Sequence, residues 1–80
     1  MDIVHQAEQQ RFVVEIDGQL ARLEYRLLAA RQVDFSYTFV PPSLRGQGIA
    51  ERLVRTGLAW AREQDLGIQA SCWYVQRFLR

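Results

Sequence analysis

The stretch Arg45-Gly46-Gln47-Gly48-Ile49-Ala50 holds the densest chemical information in this chain. Gly46 and Gly48 admit unusual dihedrals and let the backbone approach a ligand closely. An amphipathic helix begins after them, and the first four amides of a helix have no internal partner. Those amides point out of the N-terminus, where the helix dipole favours an anion. Arg45 adds a mobile cation. Together these features make a cradle for a phosphate or pyrophosphate. Two common phosphate loops do not fit. A loop of the G-x-x-x-x-G-K-[ST] type needs a lysine, and the chain has none. The dinucleotide fingerprint G-x-G-x-x-G needs a third glycine where Glu51 stands.

Other reactive side chains are few. Cys72 is the sole cysteine, so an internal disulfide is excluded, and no His cluster accompanies it to bind zinc. A free cysteine is usually a small buried hydrophobe, but one placed just before a predicted helix start also suits a nucleophile. Trp73, Tyr74 and Phe78 cluster as a hydrophobic cap or self-association surface. His5 stands alone near a terminus and reads as an exposed or edge-strand residue. Arg52 and Arg55 belong to a solvated helix face or sit beside a phosphate.

The elements that must position these residues follow from periodicity. Ile3–Gln6 reads as a short edge strand. Arg11–Ile16 alternates, with Phe12, Val14 and Ile16 on one face. Asp17-Gly18 is a two-residue hairpin signal. Leu20–Leu27 alternates again, with Ala21, Leu23, Tyr25 and Leu27 together. A turn near Ala29–Arg31 leads to Gln32–Val40, where Val33, Phe35, Tyr37 and Phe39 share a face. These runs predict an antiparallel meander with one buried side. Pro41 and Pro42 lack amide hydrogens and end the last strand, and proline keeps Val40 extended.

The long helix places Ile49, Leu53, Val54, Gly57, Trp60 and Ala61 on one side. Glu51, Arg52, Arg55, Arg62 and Glu63 fall opposite, with Glu51 and Arg55 in the favourable i, i+4 order. Gly57 inside the apolar stripe costs about 1 kcal/mol against alanine, which a close approach to the sheet explains. Leu66-Gly67 reads as the helix stop. Ile68–Cys72 follows as a strand and Tyr74–Leu79 as a final helical turn or two. The crossover from Gln32 to Cys72 places its two strands parallel. The fold class is α+β: a mixed sheet made of an antiparallel meander, then a helix, a parallel strand and a short C-terminal helix.

Size and composition set limits. With 80 residues the chain is one domain, 1–80, with little interior, so a surface groove or a site between two copies is expected rather than an enclosed cavity. The 49% hydrophobic and 24% charged content is that of a globular protein. A net charge of +1 argues against a dedicated nucleic-acid binder. No run of roughly 20 apolar residues exists to span a membrane, and the N-terminus lacks a signal-peptide pattern, so a cytoplasmic location is expected. The small interior and C-terminal aromatics suit a monomer or weak homodimer.

The loop Arg45–Ala50 resembles the Q/R-x-x-G-x-G/A acyl-CoA loop of the GNAT acetyltransferase superfamily. "VPPSLRGQGIAERLV", the helix ending in Leu66-Gly67 and the later C-x-Y-V of Cys72–Val75 resemble the small YjdJ-type, minimal-GNAT acetyltransferases. "IDGQLARLEYRL", Ile16 to Leu27, fits the early hairpin of that family. The resemblance implies a GNAT-like fold that binds acetyl-CoA and acetylates a primary amine. The pyrophosphate would sit on the amides of Arg45, Gly46, Gln47, Gly48, Ile49 and Ala50. The pantetheine arm would lie along Phe39 and Val40 like an added strand, where the parallel strands splay apart. The acetyl thioester would lie near Cys72.

The same resemblance frames the chemistry. Cys72 would either carry the acetyl group covalently or stand by during direct transfer. Tyr74 would pack or protonate the departing thiolate. Relatives often carry an H-T-E-V-like stretch where this chain has Tyr37-Thr38-Phe39-Val40, so Phe39 replaces a carboxylate that could act as a base. They also commonly continue with a short His-Pro tail beyond the position of Arg80. These departures keep two other readings open, a non-catalytic CoA-binding or regulatory module and a protein-interaction module built on Trp73–Phe78.

Overall fold

The computed structural model describes residues 1–79; Arg80, the last residue of the expected domain, lies outside them. Five strands form one sheet in the order β1-β2-β3-β4-β5. They are β1 (Val4–Gln6), β2 (Arg11–Ile16), β3 (Gln19–Leu28), β4 (Gln32–Phe39) and β5 (Gly67–Ala70). The first three pairings are antiparallel and β4 pairs β5 in parallel, as the crossover requires. Helix α1 (Ile49–Glu63) makes the crossover, and the one-turn helix α2 (Trp73–Gln76) closes the described chain. Two 3-10 turns, Ala7–Gln9 and Pro42–Leu44, carry no periodic pattern and are not legible in the sequence.

Packing of α1 on one sheet face makes the core. Phe12, Val14, Ala21, Leu23, Val33 and Phe35 from the strands meet Ile49, Leu53, Val54, Leu58 and Ala61 from the helix. Glu51, Arg52, Arg55, Arg62 and Glu63 face solvent as the helical spacing dictates. Gly57 is the point of closest approach: a Cβ built there would lie 2.7 Å from Leu23 Cδ2 and 3.0 Å from Phe35 Cε1. Asp17 and Gly18 both take left-handed φ, 52° and 74°, which is the backbone of a type I′ hairpin turn.

Three expectations need correction. Tyr37 and Phe39 do not share the core face with Val33 and Phe35. The β3–β4 register runs Glu24↔Tyr37 and then Tyr25↔Phe35, so Ser36 is an extra, unpaired residue. This bulge reverses the faces beyond it. Thr38 now pairs with core-facing Leu23, while Phe39 pairs with Arg22 on the outer face. The Arg22 guanidinium accordingly sits over the Tyr37 and Phe39 rings at 5.4 and 5.0 Å.

Leu27 shares the face of its partner Val33 but is 51% exposed, because β3 runs past the end of β2, whose last pairing is Arg11↔Glu24. The helix stop is Asp65 rather than Leu66-Gly67. Asp65 takes φ 56°, Leu66 N–H donates to Ala61 O at 3.0 Å and Asp65 N–H to Arg62 O at 3.1 Å, a Schellman end made without glycine. The last strand ends at Ala70 instead of Cys72, since β4 turns away beyond Phe35; one further bond, Cys72 N–H to Phe35 O at 3.1 Å, ends the contact.

Candidate functional site

The site forms where β4 and β5 part. Beyond Phe35 the edge of β4 has no β5 partner, and the chain from Ser71 to Tyr74 stands off from it. A hollow of about 680 Å³ opens between them, walled by Thr38, Phe39 and Val40 on one side and by Ser71, Cys72 and Trp73 on the other. A second hollow of about 250 Å³ lies over Gly46, Gly48 and the first turn of α1. Val40, Arg45, Ala50 and Tyr74 line both, so the two make one continuous groove.

Sequence accounts for the loop locally. Pro41 and Pro42 stop the strand, and the 3-10 turn Pro42–Leu44 drops the buried Leu44 into the core as an anchor. Gly46 and Gly48 take φ of 82° and 77°, a conformation that other residues enter only with strain. Gly48 is the N-cap of α1 and supplies no side-chain cap. The first intrahelical bond recorded at this end is Arg52 N–H to Gly48 O at 3.2 Å. Among the described residues no acceptor meets the amides of Gly46 through Glu51. The amide of Arg45 is different: it donates to Pro42 O at 3.3 Å, so the cradle starts one residue later than expected. Arg45 contributes its guanidinium instead, with Nε bonded to Val40 O at 2.9 Å. Glu51 borders the cradle, but Arg55 Nε holds its carboxylate at 2.9 Å.

The other expected residues fall as follows. Gly46, Gly48, Ile49 and Ala50 line the groove, whereas Gln47 is exposed and lines neither hollow. Phe39 and Val40 form the β4 wall. Cys72 is half-buried with its Sγ 3.5 Å from Thr38 Oγ1, a contact that exists because the bulge turned Thr38 inward. Tyr74 reaches both hollows and packs on Phe78, ring centroids 5.3 Å apart. Trp73 is 70% exposed at the groove edge. Arg52 and Arg55 are exposed and line neither hollow.

His5 is not free in solvent. It stacks on Phe12 with centroids 4.1 Å apart and shares a 2.6 Å hydrogen bond with the Tyr25 hydroxyl, on the β1 side of the sheet. Burial lowers the pKa of His5 from its usual value and raises that of Tyr25.

Sequence reasoning missed Asp34 and Ser71. Asp34 is 6% exposed and accepts two bonds from Ser71, from the amide at 2.7 Å and the hydroxyl at 2.8 Å. In the strand pattern Asp34 looks like an ordinary outward-facing carboxylate. Nothing local shows that the segment after β5 closes over it. Among the described residues no group of three metal-ligating side chains forms, and no helix is long and apolar enough to cross a membrane.

Comparison with known proteins agrees with this architecture. A family model described as GCN5-related N-acetyl-transferase matches residues 11–80. Protein NATD1 of Bos taurus is 35% identical over 80 residues, covering 98% of this chain and 71% of that protein. Protein NATD1 of Homo sapiens is 34% identical with the same coverage, 98% and 71%. The NMR solution structure of a GCN5-like chain from Staphylococcus aureus aligns with a TM-score of 0.76 at 29% identity, covering 98% of this chain and 76% of that one. The mixed α+β sheet with its parallel crossover and the match over residues 11–80 lead to one assignment: this chain belongs to the GCN5-related N-acetyltransferase family.

Proposed function

We propose that the protein is an acetyl-CoA-dependent N-acetyltransferase that acetylates a primary amine. The observation that carries this reading is the row of amides from Gly46 to Glu51, left without acceptors at one end of a groove that follows the free edge of β4. A diphosphate fits such a row, with Arg45 as a cation on its rim. A pantetheine arm, which has amides of its own, fits the edge at Phe39 and Val40, where no strand of the sheet pairs on the β5 side. Membership of the family supports the same cofactor and reaction type.

Acetyl-CoA supplies an activated thioester carbonyl. The chain contributes position and polarisation of that carbonyl by a strand amide near Val40. The acceptor must arrive as a neutral amine or lose a proton in the groove. Cys72 lines the groove where the thioester would end, so an acetyl-cysteine route and direct transfer share one geometry.

The test is an acetyl-CoA titration followed by amide chemical shifts and hydrogen exchange. The amides of Gly46–Glu51 are expected to shift and gain protection. Equal exchange with and without acetyl-CoA would remove the basis of the assignment. Gly48→Trp is expected to abolish binding and leave α1 folded, since the side chain would fill the cradle. Cys72→Ala separates the two routes: full activity excludes the covalent one.

A further inference from the structure

We infer that the Ser71 hydroxyl, backed by Asp34, takes up the proton that the acceptor amine loses. This rests on the acetyltransferase reading above. Among the described residues no carboxylate or imidazole lines the larger hollow; its polar side chains are Ser36, Tyr37, Thr38, Arg45, Ser71, Cys72, Trp73 and Tyr74. Ser36 donates to Glu24 O at 3.4 Å, and Thr38 faces Cys72. Ser71 alone among these bonds a carboxylate side chain, Asp34.

The direction of that bond matters. Ser71 Oγ donates its hydrogen to Asp34 Oδ2 at 2.8 Å, while the Ser71 amide holds Oδ1 at 2.7 Å. The hydroxyl hydrogen is therefore committed, and its free lone pairs are what an amine N–H meets in the groove. The charged group facing Asp34 is Arg26 of β3, 3.6 Å from Oδ2, with its own side chain 71% exposed. Asp34 lies between core-facing Val33 and Phe35 and so points to the face away from α1. Cys72 packs toward the core face. Hydroxyl and thiol thus approach the groove from opposite sides, one toward an acceptor and one toward the thioester.

Protons balance as follows. The acceptor ammonium gives one proton to Ser71 Oγ as the Ser71 hydrogen passes to Asp34 Oδ2. The neutral nitrogen bonds to the thioester carbonyl carbon, the carbon–sulfur bond breaks, and the thiolate takes the second nitrogen proton. Asp34 then returns its proton to solvent through Ser71. Ser71 is the catalytic group; Asp34 positions it and holds the proton.

The experiment compares Ser71→Thr with Ser71→Val, which share a shape and differ in the hydroxyl, with butylamine and a panel of other primary amines. Acetyl-CoA affinity by calorimetry is expected to be equal in all. Turnover at pH 7 is expected to survive in Ser71→Thr and to fall roughly 100-fold in Ser71→Val and Asp34→Asn, with KM little changed. The deficit should shrink toward pH 10, where the amine loses its proton unaided. A carboxyl carbon signal from Asp34 should respond to butylammonium in Ser71→Thr and stay silent in Ser71→Val. Equal turnover and equal pH profiles in Ser71→Thr and Ser71→Val overturn the inference, as does a wild type that binds acetyl-CoA but acetylates no amine. A wild type that binds no acetyl-CoA overturns the function proposed above instead.

Discussion

Gly57→Ala puts the packing of α1 on the sheet to a quantitative test, because two effects of opposite sign meet at one atom. In an exposed helix interior this change stabilises by about 1 kcal/mol. At Gly57 the added Cβ would stand 2.7 Å from Leu23 Cδ2, 3.0 Å from Phe35 Cε1 and 3.6 Å from Phe12 Cε1. Leu23 and Phe35 have no exposed surface, so neither has free space to move into. Overpacking of this kind costs roughly 1–3 kcal/mol. The net expectation is a loss of about 1 kcal/mol, which in a domain of this size lowers Tm by about 4–8 °C. Urea denaturation with an unchanged m-value, supported by calorimetry, reads it directly. Ala59→Gly, on the exposed face of the same helix, is the control and should also lose about 1 kcal/mol, from propensity alone. A Gly57→Ala variant more stable than wild type would refute the close approach of helix and sheet.

Gly48→Ala isolates the other kind of glycine. No atom lies within 4 Å of the Cβ it would add, so the cost comes from φ 77° alone, about 1–2 kcal/mol by denaturation. Deleting Ser36 keeps every side chain of β4 on its present face but removes the bend; the fold should persist by circular dichroism while acetyl-CoA no longer shifts the amides of Gly46–Glu51. Burial lowers the His5 pKa, so the unfolded chain binds more protons at mildly acid pH. Stability from this residue is complete above about pH 6.5 and falls as pH drops below it; His5→Phe should flatten that slope in thermal melts between pH 5 and 7. Tyr25, raised by burial, acts at the other end, with stability complete below about pH 10 and declining above, and Tyr25→Phe should remove that decline.

The amphipathic helix, the Asp17-Gly18 hairpin and the parallel crossover were legible because each follows from a local period or a turn chemistry. So was the loop, whose proline pair and glycine pair bracket a helix start. Ser36 was not legible. Val33, Phe35, Tyr37 and Phe39 alternate without a break, and only the pairing partner decides that the period slips between Phe35 and Tyr37. That slip sets the outward turn of Phe39 and the Thr38–Cys72 contact, so local pattern marks where the groove lies but not its shape. The Asp34–Ser71 pair was hidden for a similar reason, since 37 residues separate two side chains that touch. Asp65 is a smaller case: a left-handed aspartate ends α1 where glycine is the usual sign.

At the end of the β4–β5 pair away from the groove, the segments entering the two strands are pinned. Gly67 N–H donates to Arg31 O at 2.8 Å, and the Arg31 guanidinium ties to Gln64 O. At the near end the pairing stops at the Cys72–Phe35 bond. The free edge is therefore a blind alley that begins at Val40 and ends five residues back at Phe35, roughly 16 Å at strand rise. A molecule anchored at the loop and lying along that edge is measured against a fixed ruler. Its reactive end arrives beside Cys72 or falls short of it, and a tether of another length misses the mark without any pocket having to reject it.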